Sequence, residues 1–190
     1  MPINRRYKHC VLFCCQFRFR DLHALGTATL YPYLSHRAQI PTSFAEDMHV
    51  ATVVVDINRI GFVLAPTLEA IYTIEALEQA IRRARGGNLC GTIHHSDRGV
   101  QYCCDDYILR LKSHSIRISM TEDSNPTDSG VAERVNGIIK NEFLEPLLMP
   151  HNIQEAQPMV QHAVYTYNHL RPHLSLDMRT PAQVYMGDDG

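Results

Sequence analysis

The chain has 190 residues, of which 45% are hydrophobic and 20% are charged, and its mean hydropathy is −0.20. This length suits one medium domain, or one domain with an added arm of about forty residues. The composition excludes a fibrous or largely disordered protein. The most apolar stretch, residues 49–55, is far shorter than the roughly 20 residues that a membrane span needs, so no membrane partner is expected.

The charge of the chain is nearly balanced, with 18 basic and 20 acidic side chains and a net charge of −2. Overall charge therefore gives no reason to expect a nucleic-acid partner. The amino-terminal arm differs, because it carries basic side chains and no acid before residue 21. These basic residues are Arg5, Arg6, Lys8, Arg18 and Arg20. Such an arm is typical of segments that contact nucleic acid, although a solvated tail has the same composition.

The six cysteines do not suggest a disulfide framework. None of them stands in C-x-x-C spacing, and four form the adjacent pairs Cys14–Cys15 and Cys103–Cys104. The first residues also lack the small-residue cleavage site of a secretory signal. We therefore expect reduced thiols and a cytoplasmic location.

Residues 1–48 show neither a helical nor a strand period, and no fold can be assigned to them from the sequence. The Val-rich run 51–56 and the apolar run 60–64 then predict two adjacent strands. A helix should follow Pro66 and end at Gly86–Gly87. The positions predicted to form its core face are Leu68, Ile71, Ile74, Leu77 and Ile81.

The rest of the chain continues the alternation of strands and helices. Short strands are predicted at 89–95 and 116–120, the second at a sheet edge, with a helix between them at 102–113 that directs Ile108 and Leu111 inward. The pattern predicts an α/β fold.

Two further helices follow the turn-rich segment 121–129. The first runs over 130–144 and has a polar face formed by Glu133, Asn136, Gly137 and Lys140. The second begins at Asn152, three residues before Glu155, which is the spacing of a capping box. It runs through Tyr167, with Val160 and Val164 inward.

Two carboxylates in this pattern could hold metal. Asp97 lies at the end of a strand, where open α/β sheets place their chemistry, and Glu133 follows on the polar helix face with 35 residues between the two. Carboxylate oxygens suit Mg²⁺ or Mn²⁺, and two such ions can clamp the attacking and leaving oxygens of a phosphodiester displacement. An Asp and a Glu at a given spacing are also common on solvated faces.

Three longer motifs occur in order along the chain. They are HHSDRGVQY at 94–102, SNPTDSGVAERVNGIIKNEF at 124–143, and YNHLRPHLSL at 167–176 followed by TPAQV at 180–184. Together they resemble the integrase-core transposases of bacterial insertion sequences, over about residues 49–186. The resemblance implies an RNase H-like mixed sheet flanked by helices, with an irregular or incomplete amino-terminal part.

The same resemblance implies a chemistry and its residues. In this family an Asp, Asp, Glu triad holds Mg²⁺ or Mn²⁺ for DNA strand cleavage and transfer, and Asp97 and Glu133 match its second and third members. Lys140, Arg98 and Asn136 are the implied contacts to DNA. The implied partners are double-stranded DNA, both transposon ends and target, and further copies of the chain assembled on that DNA. The implied location is the nucleoid of a bacterial cytoplasm.

The first aspartate of the triad is missing from the position where the family pattern places it. That position falls near residue 37, in a segment without acids, and the best alignment puts His36 there. A neutral imidazole does not replace an anionic ligand that bridges two hard cations. The nearest acid predicted on a strand is Asp56, which matches an aspartate outside the triad. A core without its first strand would also leave an unpaired sheet edge.

Three hypotheses follow for function. The leading one is a truncated or degenerate transposase copy without activity, in which 49–186 is a partial catalytic core and 1–48 is an arm of unassigned fold or frame-shifted origin. The second is an active enzyme whose missing carboxylate comes from Asp56 or from another subunit. The third is a non-catalytic module that binds DNA or dimerises with an intact transposase.

Overall fold

The computed structural model describes residues 11–18, 49–55, 58–84, 89–120, 130–144, 150 and 152–187. The described strands form one five-stranded sheet with the order β3-β2-β1-β4-β5. Strand β1 is Val11–Arg18, β2 is His49–Val55, β3 is Asn58–Ala65, β4 is Ile93–Ser96 and β5 is Arg117–Met120. The predicted mixed sheet is confirmed, because β1 and β2 are antiparallel whereas β1 and β4 are parallel.

The central strand comes from the segment to which the sequence assigned no fold. β1 pairs with β2 from Leu12–Val55 to Arg18–His49, and with β4 from Val11–Ile93 to Phe13–His95. In the structure β1 lies between β2 and β4 and pairs with both, so neither of these strands has an unpaired edge on that side. Position 37, where the family pattern located this strand, lies outside the described residues.

The predicted adjacent strands are confirmed as an antiparallel hairpin of β2 and β3. Its ladder has a bulge where the partner of Val53 is Gly61 and the partner of Val54 is Arg59. A Cβ atom at Gly61 would overlap the backbone carbonyl oxygen of Ala76 and lie 3.0 Å from the amide nitrogen of Ala80. Glycine at this position therefore allows the following helix to pack directly on β3.

That helix, α1, spans Ala70–Arg83, but its buried face is rotated from the predicted one. Leu77 and Ile81 are buried as expected, whereas Ile71 is 63% exposed and Leu68 lies before the helix and is 41% exposed. The buried face of α1 is formed by Thr73, Ala76, Leu77, Ala80 and Ile81. Apart from Leu77 and Ile81, these residues are small. The reason is the close approach to β3, which leaves no room for larger side chains there.

Two short helices replace the single helix predicted between β4 and β5. They are α2, Val100–Cys103, and α3, Asp105–Ser113, and they are separated by the extended backbone of Cys104. Leu111 is buried as predicted, but Ile108 is only half-buried.

The carboxyl-terminal third is helical. Helix α4, Gly130–Ile138, continues into a π-helical segment, Ile139–Leu144; α5, Ile153–Tyr165, continues into a second π-helical segment, Thr166–Leu170; and α6 spans Pro181–Met186. The predicted start of α5 is confirmed, because the Asn152 side chain accepts a hydrogen bond from the Glu155 amide at 2.9 Å and donates one to its Oε1 at 3.1 Å.

Helices cover both faces of the sheet. One apolar cluster joins α1, α2 and α3 to one face, and the other joins α4, α5 and the two π-helical segments to the opposite face. The neighbouring residues Val63 and Leu64 of β3 belong to different clusters, as expected because successive side chains of a strand point to opposite faces. Within the described part of the chain, no helix is long and apolar enough to cross a membrane.

Candidate functional site

Asp97 follows β4 directly and is exposed. Its Oδ1 accepts a hydrogen bond from the backbone N–H of Gly99 at 2.9 Å. This bond holds the Asp97 carboxylate beside the backbone at the carboxyl end of β4, where the sequence predicted it.

The strand beneath Asp97 is anchored by a buried aromatic cluster. The ring of His94 is fully buried, and its Nε2 lies 3.0 Å from the hydroxyl oxygen of Tyr107. Tyr107 meets the rings of both His94 and Tyr102 edge-on, with centroids 5.4 and 5.6 Å away. Burial, with a smaller contribution from the charge of His95, lowers the pKa of His94 to about 4. A neutral imidazole therefore joins β4 to α3.

Glu133 lies on α4, and its side chain is outside the described residues, so the distance between the two predicted catalytic carboxylates is not defined. Of the predicted DNA contacts, Arg98 is exposed next to Asp97, and Lys140 is half-buried in the first π-helical segment. Asn136 is only 8% exposed. The predicted polar face of this helix is thus partly covered by the protein.

The π-helical segment also changes the geometry that the sequence pattern assumed. Residues spaced by seven share a face in a regular α-helix, and this spacing related Glu133 to Lys140. Because the segment that contains Lys140 has the wider i→i+5 turn, the simple same-face relation does not extend to it. π-Helical turns of this kind occur frequently at functional sites.

An ion pair that the sequence did not predict joins this segment to the YNHLRPH motif. Arg171 donates two hydrogen bonds to Glu142, from Nε to Oε2 at 2.6 Å and from Nη2 to Oε1 at 2.7 Å. The bonds to Arg171 lower the pKa of Glu142, and the same bonds raise the pKa of Arg171. Arg171 also donates from Nη1 to Nδ1 of His173 at 3.2 Å.

Buried residues of the same motif extend this contact into the core. Tyr167 is buried and meets the ring of His173 edge-on, with centroids 5.0 Å apart. Burial and the charge of Arg171 lower the pKa of His173. The geometry supports a structural role for the motif, in which it fastens the end of α5 to the segment after α4.

The described residues do not make a complete metal site. They contain no group of three or more His, Cys, Asp or Glu side chains placed to hold one ion. Strand β1, which pairs with β4 and has the sequence VLFCCQFR, carries no carboxylate. Asp56 lies outside the described residues, but Val55 before it pairs with Leu12 at the beginning of β1. Leu12 pairs with His94 on its other side, so this end of β2 lies near the beginning of β4.

The strand order and the helices on both faces define an RNase H-like fold, and solved structures of integrase cores share it. The catalytic core domain of BIV integrase covers 94% of this chain and 95% of its own, with a TM-score of 0.63 and 15% identity. The HTLV-2 integrase catalytic core domain in complex with magnesium, in its dimeric form, covers 92% and 94%, with a TM-score of 0.58 and 19% identity. The predicted fold class is confirmed.

The sequence comparisons show what the chain is similar to. Residues 114–181 match the integrase core domain family. The chain is 35% identical over 81 residues to the transposase for insertion sequence element IS629 of Shigella sonnei, covering 43% of this chain and 26% of that protein. It is 31% identical over 115 residues to a putative transposase for IS986/IS6110 of Mycobacterium tuberculosis strain H37Rv, covering 59% and 41%.

These matches confirm the resemblance to insertion-sequence transposases with an integrase-type core. The chain spans less than half the length of these two relatives.

Proposed function

We propose that this chain is an insertion-sequence transposase core that lacks the first carboxylate required for metal-dependent strand cleavage and transfer. Its core comprises β1 together with residues 49–186. The observation that carries the proposal is the central strand, because β1 lies beside β4 and has no acid, whereas Asp97 follows β4. The relatives are a transposase and a putative transposase, so we infer that such a core performs transposition when it is intact.

In this proposal Asp97 and Glu133 are the remaining carboxylates of the triad. Mg²⁺ or Mn²⁺ is the cofactor of the intact reaction, since hard cations prefer oxygen ligands. Two carboxylates without a third anionic ligand hold such ions weakly, so we expect the chain to be inactive as it stands.

The register of the sheet shows where a carboxylate could be restored. The last pair between β1 and β4 is Phe13 with His95. If this register is continued, Cys14 of β1 is level with Ser96, and Cys15 is level with Asp97. Because neighbouring residues of a strand point to opposite faces, one of the two cysteine positions lies on the Asp97 side of the sheet, and the other is its matched control.

The experiment is nicking of supercoiled plasmid in Mn²⁺ by the native chain and by the variants Cys14→Asp and Cys15→Asp. We expect no nicking by the native chain and measurable nicking by one variant but not by the other. That nicking should disappear when Asp97→Asn is added. Far-UV circular dichroism shows whether each variant is folded.

Two results would contradict the proposal that the chain is inactive because the first carboxylate is missing. The first is metal-dependent nicking by the native chain that is lost in both Asp97→Asn and Glu133→Gln; loss in Asp56→Asn as well would identify the substitute ligand. The second is a pair of folded cysteine variants that are both inactive, because a missing carboxylate on β1 would then not account for the inactivity.

A DNA-binding role without catalysis is the second candidate, and the intact sheet favours it. The central strand is present and paired on both sides, so the chain can fold without the first carboxylate. The partner is double-stranded DNA, contacted by Lys140 and Arg98 but not by the buried Asn136, and the location is the nucleoid of a bacterial cytoplasm. Assembly of several copies on DNA, or pairing with an intact transposase, would then regulate transposition.

This binding is tested by gel shift in EDTA at several salt concentrations. Lys140→Gln should lower the slope of log affinity against log salt by about 0.9, the value for one phosphate contact. Lys112→Gln, which removes an exposed lysine of α3, is the matched control and should leave the slope unchanged. Neutralising Arg5, Arg6 and Lys8 should weaken binding further. Equal slopes for all variants would refute these contacts.

A further inference from the structure

A groove beside the edge strand β3 has features that neither the transposase chemistry nor the core packing uses. Its volume is about 550 Å³, within the range of small-molecule sites. We call it the edge groove; its lining is Phe62, Arg83, Gln161, Val164, Tyr165, Asn168, His169, Ala182, Tyr185 and Met186. These residues come from β3, α1, α5, the second π-helical segment and α6.

One side of the edge groove is an exposed aromatic platform. Tyr165 is 54% exposed, and its ring stacks on that of His169 with centroids 4.8 Å apart and an angle of 30° between the planes. His169 is also exposed. A stacked pair of rings at the surface is a flat, polarisable support on which a further planar group can lie.

The charge of the edge groove is positive. Arg83, in the last turn of α1, places its guanidinium 5.9 Å from the centroid of the Phe62 ring. No carboxylate is among the lining residues, whereas Gln161 and Asn168 add amide groups. A site with an aromatic platform, a cation and amide donors, and without acidic side chains, matches a planar base attached to a phosphate.

We propose that the edge groove binds single-stranded DNA, with an unpaired base stacked on Tyr165 and His169 and a backbone phosphate at Arg83. Duplex DNA does not fit this chemistry, because its bases are already stacked on one another and present only their edges. A peptide ligand does not combine a planar base for the aromatic platform with a phosphate for the cation.

The edge groove is separate from Asp97. Phe62 lies on β3, and β2 and β1 stand between that strand and β4. Three strand spacings amount to about 14 Å. Binding in the edge groove therefore goes beyond the proposed function and does not depend on Asp97.

The test is fluorescence anisotropy of a labelled 12-residue oligothymidine, measured in EDTA so that metal chemistry plays no part. The native chain should bind the oligothymidine tightly, and an unlabelled duplex of the same length should displace it less well than unlabelled oligothymidine does. Tyr165→Leu should weaken binding about tenfold, the usual effect of removing one stacked ring. Asp97→Asn should bind as the native chain does, which separates this test from that of catalysis.

Arg83 has a matched control in its neighbour Arg82, which is exposed, lies 3.9 Å from Glu78 and does not line the edge groove. Arg83→Gln should lower the slope of log affinity against log salt by about 0.7, the value for one single-strand phosphate, and Arg82→Gln should not. The proposal is overturned if Tyr165→Leu binds like the native chain, if the two arginine variants behave alike, or if duplex competes as well as single strand.

Discussion

Acidification should destabilise this protein through His94, the buried imidazole below Asp97. The pKa of His94 is lowered from its ordinary value of 6.5 to about 4, first because the ring is buried and second because of the charge of His95. In the unfolded chain the same side chain regains its ordinary pKa. Between pH 6.5 and 4 the unfolded state therefore binds a proton that the folded state does not. The free energy of unfolding consequently decreases as the pH is lowered through this range.

The size of this effect follows from the lowered pKa. Each tenfold change in proton affinity is worth 1.36 kcal/mol, so a change from 6.5 to about 4 corresponds to about 3 kcal/mol. The stabilisation is complete above pH 6.5, and it is lost progressively down to about pH 4. This loss is a large fraction of the 5–15 kcal/mol typical of a folded domain.

The measurement is urea unfolding followed by far-UV circular dichroism at pH 7.5, 5.5 and 4.5. His94→Gln keeps a polar group near the Tyr107 hydroxyl but does not titrate, so its stability should depend less on pH than that of the native chain. The control is His162→Gln, at an exposed histidine of α5, which should follow the native chain. If His94→Gln and the native chain lose stability equally between pH 7.5 and 4.5, the buried neutral imidazole is refuted.

Three further predictions concern the packing of a helix on a strand, a helix cap and an ion pair. Gly61→Ala should destabilise the protein by about 1–3 kcal/mol in urea unfolding, because the new methyl group overlaps the carbonyl of Ala76, and an unchanged midpoint would contradict this packing. Asn152→Ala should cost about 1 kcal/mol through loss of the α5 cap, whereas Asn152→Asp, which keeps an acceptor, should cost less. Arg171→Lys should cost at most about 1 kcal/mol at pH 7, because the pair with Glu142 is partly exposed and lysine cannot form both bonds. Since the pKa of Glu142 is lowered, that cost should vanish as the pH falls below about 4.5; a constant cost at pH 3 and 7 would exclude the ion pair.

Local sequence signals predicted the elements whose cause is local. The Val-rich β2, the apolar β3 and the cap at Asn152 each depend on neighbouring residues, and all three occur as predicted. The central strand β1 was not recognised, because a strand with a partner on each side can be apolar throughout and then shows no alternating period. Only its pairing with β2 and β4, which is set by residues far away in the chain, identifies it.

The candidate site divides in the same way. Asp97 could be located from the sequence, because a strand end followed by a glycine turn is a local pattern, and the structure has both. The burial of Asn136 and the pairing of Glu142 with Arg171 depend on how α4 and the end of α5 pack together. A helical period assigns a residue to a face, but it does not say what covers that face.

The absence of an acid from β1 is physically compatible with a well-formed sheet. Carboxylates gathered at one end of a sheet repel one another, and a bound cation is what makes the cluster favourable. The central strand contributes instead through its hydrogen bonds to both neighbours, and its sequence VLFCCQFR supplies mainly apolar side chains. The pairing of this strand therefore does not depend on an acid, and the sheet can form with a central strand that carries none.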